Sequence, residues 1–287
     1  MADPQIPTVD LSPFFSQDDE DGKKKAMEII TEACSEHGFF QIVNHGVPVD
    51  LLKRALQLSS IFFDYPSQEK LKSSAPSNAP IRTGYNTQPP QSPDKNEYLL
   101  IFPPGSSFNV FPQNPPQFKQ VLQDVYSKLT KTAVVVEGIV NQCLDLPTNL
   151  LKEFNHDRSW DFMVALRYFP ATELENNGLT QHEDGNCLSF VFQDDAGGLQ
   201  VRKDGDVVKF GVVRPKGRSR YSFAFFHNLQ GDKWVEPLPH FTKDIGKPPK
   251  YRGFRFSEYQ QLRVRNKTHP PSRPEDQIGI THYEIIS

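Results

Sequence analysis

Apolar residues recur every three to four positions over 25–36 (Ala26, Ile29, Ile30, Ala33) and over 49–65 (Leu51, Leu52, Ala55, Leu56, Ile61). That spacing predicts two amphipathic helices, the first stopped by Gly38 and begun on the solvated charge run that ends in Lys23, Lys24 and Lys25. The longest periodic stretch, 117–144, carries Phe118, Leu122, Val125, Leu129, Ala133, Val136, Ile139 and Cys143 on one face and reads as a long supporting helix. Residues 149–156 extend the helical region. Between these, 6–11 alternates as a short strand ended by Ser12-Pro13, and 39–43 is a buried strand ended by Asn44-His45-Gly46. Residues 67–93 are rich in Ser, Pro, Asn and Gln and read as a long surface loop, of the kind that often lies over a substrate pocket. Residues 94–102 are extended.

From Trp160 the texture changes to short β-rich runs: 162–169, 179–182, 187–192, 199–202, 207–213 and 220–226, with a hairpin turn at Lys203-Asp204-Gly205-Asp206. A loop at 237–249, a last helix at 255–267 and a strand at 278–286 complete the chain. Helices first and strands afterwards predict an α+β fold, a helical N-terminal region packed on an antiparallel β-core. The chain divides into a mixed region, 1–115, and a region 116–287 holding the long helix, a core at about 160–230 and the C-terminal helix and tail, all in one compact unit.

Composition narrows the function classes. The chain has 287 residues and a formal charge of −3 with both signs interspersed, which gives no footprint for nucleic acid. No apolar run approaches the roughly 20 residues of a membrane span, and residues 1–7 lack the character of a signal peptide, so a cytoplasmic protein is expected. Cys34, Cys143 and Cys187 are odd in number and far apart, which argues for reduced, mostly buried thiols rather than disulfides or zinc. Twenty-two phenylalanines point to an aromatic core or pocket.

The candidate chemistry lies in two short motifs. His182 and Asp184, two apart at a strand end, project from one face and can converge on a divalent metal. Arg220 and Ser222 share a face of a later strand, offering a planar charged fork and a hydroxyl donor. The bland readings are a polar loop with a solvated histidine and a surface arginine. His37 and His45, at a helix end and a turn, read as structural groups.

With these motifs in place the chain resembles the plant-type Fe(II)- and 2-oxoglutarate-dependent dioxygenases, the flavonoid and hormone oxygenase branch that includes isopenicillin synthase-like enzymes. The resemblance runs through Ile6-Pro7-Thr8-Val9-Asp10-Leu11, Gly38-Phe39-Phe40-Gln41-Ile42-Val43-Asn44-His45-Gly46, Asp94-Lys95-Asn96-Glu97, Tyr168-Phe169-Pro170, His182-Glu183-Asp184 and Arg220-Tyr221-Ser222. It implies a double-stranded β-helix, a distorted jelly roll, with Fe(II) held by His182 and Asp184. It also implies 2-oxoglutarate held by Arg220 and Ser222, O2 as co-substrate and ascorbate as a helpful reductant. Phe169 stands where many relatives carry a tyrosine that touches the co-substrate, and Tyr168 is the candidate substitute. The implied reaction is hydroxylation, demethylation or desaturation of a small, aromatic specialised metabolite or hormone, coupled to succinate and CO2 formation.

One departure qualifies that implication. In the family a second metal histidine lies ten residues before the co-substrate arginine, and here that count falls on Phe210. The segment from His182 to Arg220, 38 positions, is short against the family by something on the order of 25 to 30 residues, equivalent to about two core strands. Phenylalanine cannot ligate iron, so the alternative expectation is a shortened, catalytically impaired variant that binds without turning over. His227 is odd where Arg220 and Ser222 are even and should face away; His240, a loop histidine, ranks level with it, and His156, His269 and His282 are weaker substitutes still. A monomer is expected, with self-association through exposed β edges as the hazard of a shortened core.

Overall fold

A computed structural model describes residues 6–16, 18–79, 81–204, 207–268, 273 and 276–285. In chain order the elements are β1 (Thr8–Asp10), α1 (Glu20–Glu36), β2 (Gln41–Val43), α2 (Val49–Phe63), α3 (Ser67–Leu71), β3 (Gly84–Thr87), β4 (Asn96–Ile101), α4 (Phe118–Cys143) and α5 (Leu150–Phe154). Then come β5 (Phe162–Tyr168), β6 (Asn177–His182), β7 (Leu188–Gln193), β8 (Leu199–Asp204), β9 (Val207–Val213), β10 (Arg220–His227), β11 (Trp234–Val235), β12 (Phe254–Arg255) and α6 (Phe256–Thr268).

Two antiparallel sheets form the β-core. Five strands run in the order β3-β4-β5-β10-β7, and three in the order β6-β9-β8. Glycines allow close backbone approach: a Cβ on Gly178 of β6 would press on the Tyr168 ring of the facing sheet, and one on Gly198, at φ +89°, would meet the Val213 carbonyl within the smaller sheet. This is the jelly-roll arrangement, with the helices gathered N-terminally.

The period-2 pattern of β10 explains how the large sheet is covered. Phe223 and Phe225 point outward and join Met163, Ala165 and Leu99 in a core completed by Phe62 of α2 and by Phe118, Leu122 and Val125 of α4. Arg220, Ser222, Ala224 and Phe226 therefore face the inside of the roll. A second cluster seats β1 and α1 on Val136 and Ile139 at the far end of α4, and a third joins Leu229, Phe254, Tyr259 and Tyr283 at the C-terminal end.

Three expectations are corrected. Residues 67–93 are not one surface loop: they hold α3 and β3, with β3 paired to β4. A buried polar network anchors them, Lys70 Nζ donating to Glu97 (2.7 Å) and to the Phe63 carbonyl (2.9 Å), and the Tyr85 hydroxyl donating to Glu97 (2.5 Å). The stretch expected as a strand at 278–286 contains instead a 3-10 turn, Ile280–Tyr283, whose tyrosine packs on Phe254. The thiols are free, but Cys34 and Cys187 are exposed and Cys143 is half-buried. The 237–249 loop includes a π-helical turn at His240–Asp244. The hairpin at 203–206 closes on the Asp204–Val207 pair, and Gly205 and Asp206 lie outside the described residues. Among the described residues no helix is long and apolar enough to cross a membrane.

Candidate functional site

β6 ends on His182, and the position of that end is fixed from across the chain. Asp94 Oδ1 accepts both the Thr180 N–H and the Thr180 hydroxyl at 2.6 Å. Asn96 Nδ2 and the Lys95 N–H donate to the Gly178 carbonyl at 2.9 and 3.1 Å. The Asp94-Lys95-Asn96 segment thus aims the strand that carries the metal-ligand candidates.

His182 Nδ1 lies 2.9 Å from the Thr180 carbonyl, so the tautomer that donates there leaves Nε2 bare. Nε2 sits 3.3 Å from Asp184 Oδ1. A bare imidazole nitrogen facing a carboxylate oxygen is an arrangement a cation reconciles, with the second ring nitrogen tied to a carbonyl as metal-binding histidines commonly are. Burial alone would raise the Asp184 pKa; the neighbouring His182 imidazole and the hydrogen bond from Ser189 more than offset it and hold the carboxyl below its usual range. Ser189 Oγ donates to Asp184 Oδ2, tying this half of the site to β7.

Directly opposite His182 in the β6–β9 ladder stands Phe210. Cross-strand partners carry their side chains on the same face. Phe210 is half-buried and meets the Phe39 ring edge-on, centroids 6.4 Å apart. Among the described residues no group of three His, Cys, Asp or Glu side chains can hold a metal ion. His182 and Asp184 therefore supply two donors, and the described residues do not fit a three-donor iron site.

The other histidines lie elsewhere. His227 faces the helices, its Nε2 3.1 Å from Glu137 of α4 and its Nδ1 3.5 Å from Asp161. His156 is exposed beside the Glu153 carbonyl, His240 lies in the π-helical turn and His282 in the 3-10 turn, while His269 falls outside the described residues. His45 Nδ1 accepts the Val47 N–H in its turn.

The Arg220 half is closely built. The side chain is 1 % exposed, and the guanidinium lies 4.8 Å over the Tyr168 ring. Nε donates to the Gly197 carbonyl (2.5 Å), Nη1 to Ser222 Oγ (3.0 Å) and Nη2 to Gln193 Oε1 (2.5 Å). Among the described residues no carboxylate forms an ion pair with it. Burial depresses its pKa, and burial pushes the Tyr168 hydroxyl up to about 12. A buried cation oriented by neutral acceptors, with Asp194 the nearby carboxylate and no described anion within ion-pair distance, is suited to receive an anionic ligand. Phe169 points the other way, under Arg167. Sequence reasoning missed Gln193 and Gly197, whose contacts with Arg220 span 27 and 23 positions, and Ser189, five positions from Asp184; it placed Asp94 in a motif without giving it a role.

The two halves share one wall. Ser189 and Gln193 are four residues apart on the inner face of β7, roughly 13 Å along the strand, and they contact Asp184 and Arg220 respectively. Between them the ladder registers place Leu166, Val164, Ala224 and Val191, with Phe162 and Phe226 stacked at 4.5 Å near the Asp184 end.

Comparison with known proteins agrees with this architecture. Residues 6–118 match the family described as non-haem dioxygenase in morphine synthesis N-terminal, and residues 160–215 match the 2OG-Fe(II) oxygenase superfamily. A flavonol synthase/flavanone 3-hydroxylase of Arabidopsis thaliana is 28 % identical over 298 positions, covering 91 % of this chain and 86 % of the relative. The solved structure of JOX2 in complex with 2OG, Fe and JA superposes with a TM-score of 0.77 at 24 % identity, covering 96 % of this chain and 89 % of that one. The crystal structure of the dioxygenase for auxin oxidation in rice gives 0.72 at 21 % identity, covering 92 % and 96 %. Over residues 160–215 the chain is therefore similar to the 2OG-Fe(II) oxygenase superfamily, whose cofactors are Fe(II) and 2-oxoglutarate.

Proposed function

We propose that this chain binds 2-oxoglutarate with its distal carboxylate on Arg220 and Ser222, and receives a small aromatic metabolite against the Phe162–Phe226 wall. The observation that carries this reading is the buried Arg220 guanidinium, stacked on Tyr168 and unpaired with any described carboxylate. Plant relatives named for flavonoids and a neighbour crystallised with JA support an aromatic or hormone-like substrate class without selecting one. In its active form the reading is a cytoplasmic oxygenase that hydroxylates, demethylates or desaturates that molecule and releases succinate.

A second reading, a family member that binds the co-substrate without turning over, is favoured by Phe210 opposite His182. The alignment with the flavonol synthase relative spans 298 positions against the 287 residues of this chain, so some positions of the relative have no counterpart here. Calorimetry with 2-oxoglutarate tests the shared part: the Arg220→Lys variant should bind at least about tenfold more weakly, since a point charge replaces a planar fork. Equal affinity would remove Arg220 from the reading. Succinate release with Fe(II) and ascorbate separates the two forms, an active enzyme exceeding its His182→Ala control and a silent one matching it.

A further inference from the structure

We infer that the free edge of β7 pairs antiparallel with β7 of a second copy of this chain, joining two five-stranded sheets into one. Among the described residues β7 is the last strand of its sheet and is bonded to β10 alone. The Asp194 N–H donates to the Tyr221 carbonyl at 3.0 Å at the end of that ladder. Alternation then turns the backbone groups of Ser189, Val191 and Gln193 toward the open side. Those three residues are exposed, Val191 by 46 %.

The other edges of the two core sheets are blunted, and β7 is not. β3 has four residues, begins on Gly84 and is bridged there by Ser74. β6 carries two register shifts, which spoil it as a template. β8 contains Arg202. β7 reads Leu-Ser-Phe-Val-Phe-Gln, six residues with no charge, no proline and no glycine. Protein sheets rarely leave such an edge open, because its unpaired N–H and C=O groups accept any strand of matching spacing.

The occupant must itself be a strand, and the sequence of β7 suits its own copy. About a two-fold axis at Val191, valine faces valine and Ser189 faces Gln193, so no like charges oppose each other. The chain's net charge of −3 adds little long-range repulsion. A pairing about a two-fold is isologous and closes at two copies, so a discrete dimer is expected rather than a fibre. It also covers Val191 and sets a second subunit beside the open wall between Ser189 and Gln193. The inference is independent of whether the site turns over.

Light scattering coupled to size exclusion, over a hundredfold range of protein concentration, should give a two-chain mass. Val191→Lys places two cations directly opposite and should return a one-chain mass with an unchanged circular dichroism spectrum. Should that variant misfold, Val191→Cys in a chain whose Cys34 and Cys187 are serine decides the matter. It should cross-link to a dimer on mild oxidation, whereas Leu174→Cys, at a 97 % exposed position, should not. A one-chain mass for the unmodified protein at every concentration, an undiminished dimer in folded Val191→Lys, or equal cross-linking at both cysteine positions would overturn the inference.

Discussion

Phe210 and His182 occupy one rung of the β6–β9 ladder, and the difference between a phenyl and an imidazole at that rung bears directly on metal binding. A histidine there would point from the same face as His182 and add a neutral nitrogen donor to the two already converging. Phe210→His should therefore raise affinity for Co(II), a spectroscopic substitute for Fe(II), by roughly tenfold or more and produce a visible ligand-field band. The unmodified chain should show only weak binding. Strong one-to-one binding by the unmodified chain, lost in His182→Ala, would mean that a third donor is supplied from outside the described residues. That His182 lies by Asp184 and Arg220 by Ser222 was legible in the sequence, because strand alternation fixes which neighbours share a face. The parts played by Gln193, Ser189 and Asp94 were not, because they depend on which strands pair.

At the scale of elements, β6 is held in place by a residue more than eighty positions earlier. Asp94 accepts two hydrogen bonds from Thr180, one from backbone and one from side chain. Asp94→Ala removes the oxygen that accepts both bonds and should cost about 1–3 kcal/mol of stability, while Asp94→Asn keeps an oxygen acceptor and should cost less. Thermal melts rank the two variants, and amide exchange should show the added opening concentrated in β6. A uniform loss across the sheet would assign Asp94 a general packing role instead. The same scale shows why 67–93 was misread. Gly84-Tyr85-Asn86-Thr87 has no apolar alternation, and it becomes a strand through cross-strand pairing with β4 and the Lys70–Glu97–Tyr85 network. Long periodic elements such as α4 were legible because their own pattern suffices; short polar ones depend on partners that periodicity does not record.

For the whole molecule, the joint between helices and sheet carries a buried charge cluster that makes stability depend on pH. His227 at the end of β10 is fully buried and meets Glu137 of α4 and Asp161 at the entry to β5, with Asn155 and Arg158 packed around the ring and Cys187 nearby. Burial alone would lower the His227 pKa, but hydrogen bonds with Asp161 and Glu137 outweigh it and raise the pKa above the ordinary histidine value. The folded state therefore keeps a proton that the unfolded chain, near pKa 6.5, has already released. This contribution is complete below about pH 6.5 and is lost as pH rises through the folded pKa, so the melting temperature should fall over that window. In His227→Leu the slope should vanish. Stability should also drop by about 3–5 kcal/mol at mildly acidic pH, because Glu137 and Asp161 lose their cationic partner within the interior. Calorimetric melts of both proteins across the window check this. An unchanged slope in the variant would assign the pH dependence to other groups, and a variant as stable as the parent would mean that Arg158 alone neutralises the two carboxylates.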